Sequence, residues 1–279
     1  YVAGACGCLY AALAWNMPWY VCLLVGMVAA ALLGVISGWL KTACNVNIVI
    51  SGIMLNWIIL YVTNLVLTGV KSPNSPYTKG LQGNNPAALI PSLGLGKLFN
   101  NEKSVTIAIP LAVLVAVAVW VVLNKTKFGY ELKACGANRH AARYAGISDK
   151  RNIVLSMAIA GALAGGGAAL YWLSGNTEFF WSTYQALPAA GFNGIPVALL
   201  AVNNPIAVIF SGIFMAMLDI VGQNLTGFTA YNEYITDVII AVIVYLSAFS
   251  LVIRMWFAGK KKKEKAPVPK KEEKGGEAA

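Results

Sequence analysis

FGYELKACGANRHAARYAGISDKRNIVLSMAIAGALAGGGAALYWLS, residues 128–174, sets the character of the whole chain. Its first half is a short basic segment. Its second half, from Ile153, is an apolar run near the ~20 residues that cross a bilayer as a helix. Long apolar runs joined by short polar connectors recur along the sequence. The composition agrees: 58% of residues are hydrophobic and 11% charged, against about 25% charged in an average soluble domain. A large soluble core is excluded, because too few polar helices remain to cover it. The expected fold is all-α, a polytopic transmembrane helical bundle. A membrane protein that only packs against lipid needs no basic surface of this kind, whereas one that is moved by a soluble partner does.

Working outward, the apolar runs predict a partial span over Tyr1–Trp15, then Trp19–Leu40, Val46–Leu67, Val105–Leu123, Ile153–Leu173, Pro188–Val202, Pro205–Val221 and Ile235–Phe257. Pro188–Val202 is short and carries Gly191 and Gly194, so a tilted, broken or re-entrant segment is an open alternative. Seven of the 21 basic residues lie between Lys125 and Arg151, and eight lie in the tail Lys260–Lys274. Lysine and arginine mark the cytoplasmic side of spans. Four spans separate the two basic segments, an even number that places both on that side. The connector Thr68–Ser104, rich in SPNSP, GNNP and PSLGLG, is then external. Connectors above ~12–15 residues are functional or disordered as a rule. Residues 1–257 thus form one transmembrane domain with a cytoplasmic loop at 125–152 and an external loop at 68–104, followed by a disordered basic cytoplasmic tail at 258–279. That tail anchors topology and is attracted to anionic membrane lipids. The first residue is Tyr1 within an apolar run, so further spans are expected before it.

The net charge of +10 points to no nucleic acid, because the basic residues flank spans. The five cysteines show no CxxC and no metal-ligand spacing, and small apolar packing is their expected role. His140 is the only histidine, and no metal cluster or nucleophile–base pair forms around it. No catalytic residue and no metal site are expected.

Within the basic segment, Asn138 is a plausible helix N-cap and Gly146 a plausible stop. Between them Ala141, Ala142 and Tyr144 offer small and aromatic contact residues. Arg139 and Arg143 are four apart and share a face. Such a helix fits a groove on another protein, with its arginines on carboxylates at the rim. The alternative is a plain basic connector that only sets topology.

The stretch FGYELKACGANRHAARYAGI resembles the coupling segment of permease subunits from the branched-chain amino acid, ribose and nucleoside class of ABC importers. NVNIVISGIMLNWIILYVTNLVL (45–67) and AAGFNGIPVALLAVNNPIAVIFSGIFMA (189–216) are similar to the same family, as is the glycine-rich Gly161–Gly167. The MLN phrase, the long external loop and GFNGIPVALL are most like the nucleoside or simple-sugar branch, which works with a lipid-anchored binding protein. The resemblance implies a cell-membrane permease subunit, not an enzyme. Asn138, Arg139, Ala142, Arg143, Tyr144, Gly146 and Ile147 match the helix that docks on a cytoplasmic ATP-binding subunit. It also implies a second permease subunit, identical or homologous, and an extracytoplasmic binding protein that docks on Thr68–Ser104 and Gly175–Tyr184. No GxxxxGK[ST] phosphate loop is present, so no cofactor is expected on this chain; ATP and magnesium belong to the partner. One departure is Asn193, which stands in GFNG where the family often carries an acid.

Candidate pathway residues are Asn56, Trp57, Phe192, Asn193 and Asp219. An amide in hydrocarbon costs several kcal/mol without a partner, so Asn56 faces protein or a water-filled path. Its reading as interhelical glue stands beside its reading, with Trp57, as a wall for a nucleoside or sugar. Asp219 is an ionisable group near a span, and an interfacial structural role is its alternative. Glu233 and Asp237 read as dipole complements at a helix start. Gly34xxxGly38 and Gly161xxxGly165 predict close helix approach. The rival functions are a simple-sugar or branched-chain amino acid permease, an ion-coupled secondary transporter and a membrane-embedded enzyme. An ion-coupled carrier needs buried acids or broken repeats, which the sequence scarcely supplies.

Overall fold

The computed structural model describes residues 1–73, 75, 77–92, 94, 105–175, 178–179, 187–228, 235, 238–243, 245–246 and 249. The predicted last span and the basic tail lie largely or wholly outside the described residues. The chain divides into two compact units, Tyr1–Gly194 and Ile195–Ala279.

The helices of the first unit, in chain order, are α1 (Val2–Leu13), α2 (Trp19–Cys44), α3 (Ile48–Leu67), α4 (Leu81–Asn84), α5 (Ala108–Lys125), α6 (Lys127–Ala137), α7 (Arg139–Tyr144) and α8 (Asp149–Trp172). Helix α9 (Ala189–Leu200) crosses the division, and α10 (Pro205–Phe228) lies in the second unit. Among the described residues, five helices are long and apolar enough to cross a membrane: α2, α3 with its continuation to Val70, α5, α8 and α10 over Pro205–Gly222. Helices α1 and α9 have 12 residues each, about 18 Å of helix, which is short of a ~30 Å hydrocarbon core. Pro196 lies inside α9 and removes one backbone donor, yet the helix runs unbroken from Ala189 to Leu200.

The centre of the first unit is the packing of α2 against α8, with α1 laid across both. Small residues make that approach possible. A Cβ added at Gly161 would lie 2.5 Å from the carbonyl oxygen of Ala30, and one at Gly165 would lie 2.6 Å from that of Gly26. A Cβ at Gly34 would collide with the backbone of Met157, and one at Gly4 with that of Gly165. Both predicted glycine pairs therefore work as close-contact surfaces, here between α2 and α8. In lipid there is no hydrophobic drive between helices, so such dispersion-rich contact is what holds them together. The rest of the apolar surface is turned outward: Val49, Met54 and Leu65 on α3 and Ile109 and Leu114 on α5 are exposed.

At one end of the unit, the first part of the predicted external loop is folded rather than loose. Leu67, Val70, Leu81, Ala88 and Ile90 join Leu9, Ala12, Trp172, Leu173 and Phe179 in one buried cluster. Asn85, itself buried, donates from Nδ2 to the carbonyls of Ala12 (2.9 Å) and Met17 (3.1 Å), satisfying the open end of α1. Thr78 donates from its backbone to Phe179 and accepts from it through Oγ1. Residues 95–104 and most of Gly175–Tyr184 lie outside the described residues.

In the second unit, α9 turns into α10 through Val202 and Asn203, both at positive φ. Asn204 caps the next helix by accepting from Ile206 N at 3.0 Å, and Pro205 follows it. Ser211 Oγ donates to the carbonyl of Val197 at 2.9 Å and ties the two helices of the turn.

Candidate functional site

The basic end of the first unit is built from α5 to α8. Thr126 makes the corner: its hydroxyl donates to Val122 O (2.6 Å) and accepts from Gly129 N (3.2 Å). Gly129 is required there, since a side chain would strike the carbonyls of Val122 and Leu123. Helix α6 runs on to Asn138, which caps α7 by accepting from the backbone N–H of His140 (3.0 Å) and Ala141 (3.1 Å). The far end of α7 closes with Gly146 at φ +79. Ile147 N donates to Ala142 O and Gly146 N to Arg143 O, each at 3.0 Å, the paired bonds of a Schellman closure. Asn138, Ala142, Gly146 and Ile147 thus delimit a six-residue helix whose ends need no help from outside.

The arginines do something the sequence reading did not foresee. Arg139 Nε and Arg143 Nη2 both donate to Oδ2 of Asp149, at 2.7 and 2.9 Å. The Asp149 side chain is only 6% exposed. Their carboxylate partner is therefore intramolecular, at the first turn of α8, where an acid also complements the helix dipole. Asn152, one turn further along α8, is buried and places Nδ2 3.5 Å from Glu131 Oε2 of α6. With the arginines occupied, the projecting group of α7 is Tyr144, 94% exposed. Asp149 is one of two acids between Lys125 and Asn152. An isolated acid in a basic run was the available signal, but the pairing depends on how the chain folds back.

Midway along the unit, two cavities meet. One, about 190 Å³, lies between α1, α2, α3 and α8 and is lined by Ala30, Gly34, Ser37, Asn56 and Gly161 among others. The second, about 100 Å³, is lined by Val2, Asn56, Pro188, Gly191 and Phe192. Asn56 and Tyr1 border both. Of the predicted pathway residues, Asn56 and Phe192 are brought together. Trp57 points elsewhere and stacks on Tyr61 at 6.4 Å between ring centroids. Asn193 is exposed on α9, and Asp219 is half-buried on α10 of the other unit. Ser37 and the wall glycines Gly34 and Gly161 were not singled out as lining residues, because a glycine or serine in an apolar run reads as packing. A third cavity, about 260 Å³, opens at the opposite end, with Lys79, Gln82 and Glu178 around Gly80, Gly83 and Gly175.

Residues 1–248 match the family model described as the permease component of the branched-chain amino acid transport system. The chain is 33% identical over 254 residues to the guanosine ABC transporter permease protein NupP of Bacillus subtilis, covering 90% of this chain and 71% of the relative. It is 32% identical over 259 residues to the nucleoside ABC transporter permease protein NupB of Lactococcus lactis, covering 87% and 69%. The glucose ABC transporter permease protein TsgB13 of Haloferax volcanii is 28% identical over 79% of this chain and 58% of its own length. No solved structure matches the chain.

Proposed function

The chain belongs to the family of branched-chain amino acid transport system permease components, and from that membership we propose that it carries nucleosides across the cell membrane, driven by ATP hydrolysed on a separate subunit. Membership makes it a multi-pass membrane permease of an ABC importer, whose ATP-binding and substrate-binding partners are other chains. The nucleoside assignment is supported by the guanosine and nucleoside permeases among its relatives.

The observation that carries the proposal is α7. It is a helix capped by its own residues and anchored by its own arginines, and it presents one almost fully exposed aromatic side chain, Tyr144. An exposed tyrosine on a rigid, basic platform is suited to insert into a pocket of a soluble partner. In this reading the basic end faces the cytoplasm, the C-terminal tail lies on the same side, and α7 docks on the ATP-binding subunit. The folded outer segment Thr68–Pro91, with its Lys79–Gln82–Glu178 cavity, faces a lipid-anchored binding protein. Asn56, Ser37 and Phe192 line the path, whose cavities of about 190 and 100 Å³ are each below the ~300–1,000 Å³ usual for a small-molecule pocket. In this reading a nucleoside passes when the helices part, a motion that ATP supplies. Asn193, next to Phe192 on α9, is placed on the same proposed pathway. A second permease subunit completes it, and the outward apolar face of α5 is available for that subunit or for lipid.

The test is uptake of labelled guanosine into proteoliposomes that hold the permease pair, the ATPase and the binding protein. Uptake that requires ATP, is competed by nucleosides and not by leucine or glucose, and falls at least tenfold with Tyr144→Ala supports the reading. Competition by glucose in place of nucleosides would move the substrate to the sugar branch, for which the TsgB13 similarity is the supporting observation. Uptake without ATP would overturn the importer assignment.

A further inference from the structure

We infer that Asp149 is the latch that turns α7 and α8 into one lever, and that α8 carries the push on α7 to the cavity wall. This rests on the proposed docking of α7 on an ATP-hydrolysing subunit.

Three observations in one unit lead to it. The first is the pair of hydrogen bonds that Arg139 and Arg143 donate to a single oxygen of the buried Asp149. Two guanidinium groups one helical turn apart, held on one carboxylate, fix α7 against translation and against rotation about its axis. Removal of a buried partner from such a pair leaves the remaining charges without their acceptor. The second is that Asp149 is the first residue of α8, not a loop residue. With Asn152 set against Glu131 and Cys135 of α6, the first turn of α8 holds both α6 and α7. The third is that α8 itself reaches the cavity. Gly161, three turns along, lines it and meets Ala30 and Ala31 of α2 at backbone distance, while Gly34 of α2 meets Met157 and Ala158 one turn earlier on α8. Close-packed helices are stiff and transmit displacement, so a shift of α7 must appear at Gly161 and Gly34, where any slide of α8 along α2 reshapes the wall beside Asn56.

The other exit from the platform does not serve. Helix α5 is joined to α6 at the Thr126 corner, buries none of its own residues, and lines none of the three cavities described. Coupling carried by contiguous packing therefore runs through α8. Asp149 touches neither substrate nor nucleotide and is a positioning residue.

The assembled importer in proteoliposomes tests this by the number of nucleosides taken up per ATP hydrolysed. Asp149→Asn keeps the size of the side chain and removes its charge. The expected result is retained ATPase co-purification and hydrolysis with uptake per ATP reduced at least tenfold, and recovery of most of that ratio with Asp149→Glu. A merely structural aspartate would instead lower the yield and melting temperature and leave the ratio of the surviving protein unchanged. Should Asp149→Asn fail to fold, Arg139→Gln with Arg143→Gln, both on partly exposed side chains, is read by the same ratio and is expected to fall similarly. A wild-type ratio in whichever variant is recovered overturns the inference. Absence of ATP-dependent uptake in the wild-type assembly would instead strike the importer reading, and the two failures are distinct.

Discussion

Helices α5 and α8 leave the same basic platform, are of spanning length and are built almost wholly from apolar residues, yet they have opposite fates. Helix α8 buries Gly165, Gly166, Ala168, Ala169 and Trp172, and meets α2 along its length. Helix α5 buries nothing; it packs on the buried cluster through Ala108, beside its N-cap Ile107, and on α6 at its other end. Apolar character does not separate them, because lipid is as apolar as a leucine side chain. Size does. The sequence IAGALAGGGAA lets a neighbouring backbone come within contact, whereas LAVLVAVAVWVV presents branched side chains all round. In a bilayer the small residues choose the interior, and here they also choose which helix reaches the cavity.

That comparison is broken most severely at Gly161. Gly161→Leu places a large side chain against the Ala30 carbonyl and is expected to cost about 3 kcal/mol or more through overpacking, read as loss of folded protein and a lower melting temperature in detergent. Ala118→Leu on the exposed face of α5 is expected to leave both unchanged. Equal damage at the two sites would refute the division between an inner and an outer helix. A smaller effect is expected in the cavity. Asn56→Leu keeps the helix and removes the amide shared by both cavities, and guanosine uptake is predicted to fall roughly tenfold, about 1.4 kcal/mol, with ATPase association intact. Trp57→Leu, on the neighbouring face against Tyr61, is predicted to change uptake less; the reverse order would relocate the path. The smallest change sharpens the picture within α8 itself. No atom lies within 4 Å of a Cβ at Gly167. Gly167→Ala should therefore stabilise by about 0.5–1 kcal/mol through helix propensity, while Gly165→Ala two residues away should destabilise.

What could be read in advance follows the same physical line. The glycine pairs, the Asn138 cap and the Gly146 stop are local patterns, and they appear where their spacing places them. The helical bundle follows from run length, and so do five of the eight predicted spans, which are the long apolar helices among the described residues; the runs at Tyr1–Trp15 and Pro188–Val202 form shorter helices. The Asp149 latch was hidden, because residues 10 and 6 positions apart meet only after Gly146 turns the chain. The folded start of the long connector was also hidden: GNNP reads as loop, but Asn85 donates to the carbonyl of Ala12 at the end of α1, about 70 residues away in sequence. Among the pathway candidates, Asn56 and Phe192 meet at one cavity while Trp57 does not, since residues 56 and 57 are turned by about 100° on a helix.

The claim on which the account turns is that α7 and α8 move as one body while α5 does not follow. Spin labels at Ala141 and Ala160, and in a second sample at Ala118 and Ala160, would report it in the assembled importer by pulsed distance measurement, with and without trapped nucleotide. An unchanged Ala141–Ala160 distance and a shifted Ala118–Ala160 distance are expected. A changed Ala141–Ala160 distance with α5 and α8 fixed in register would contradict it.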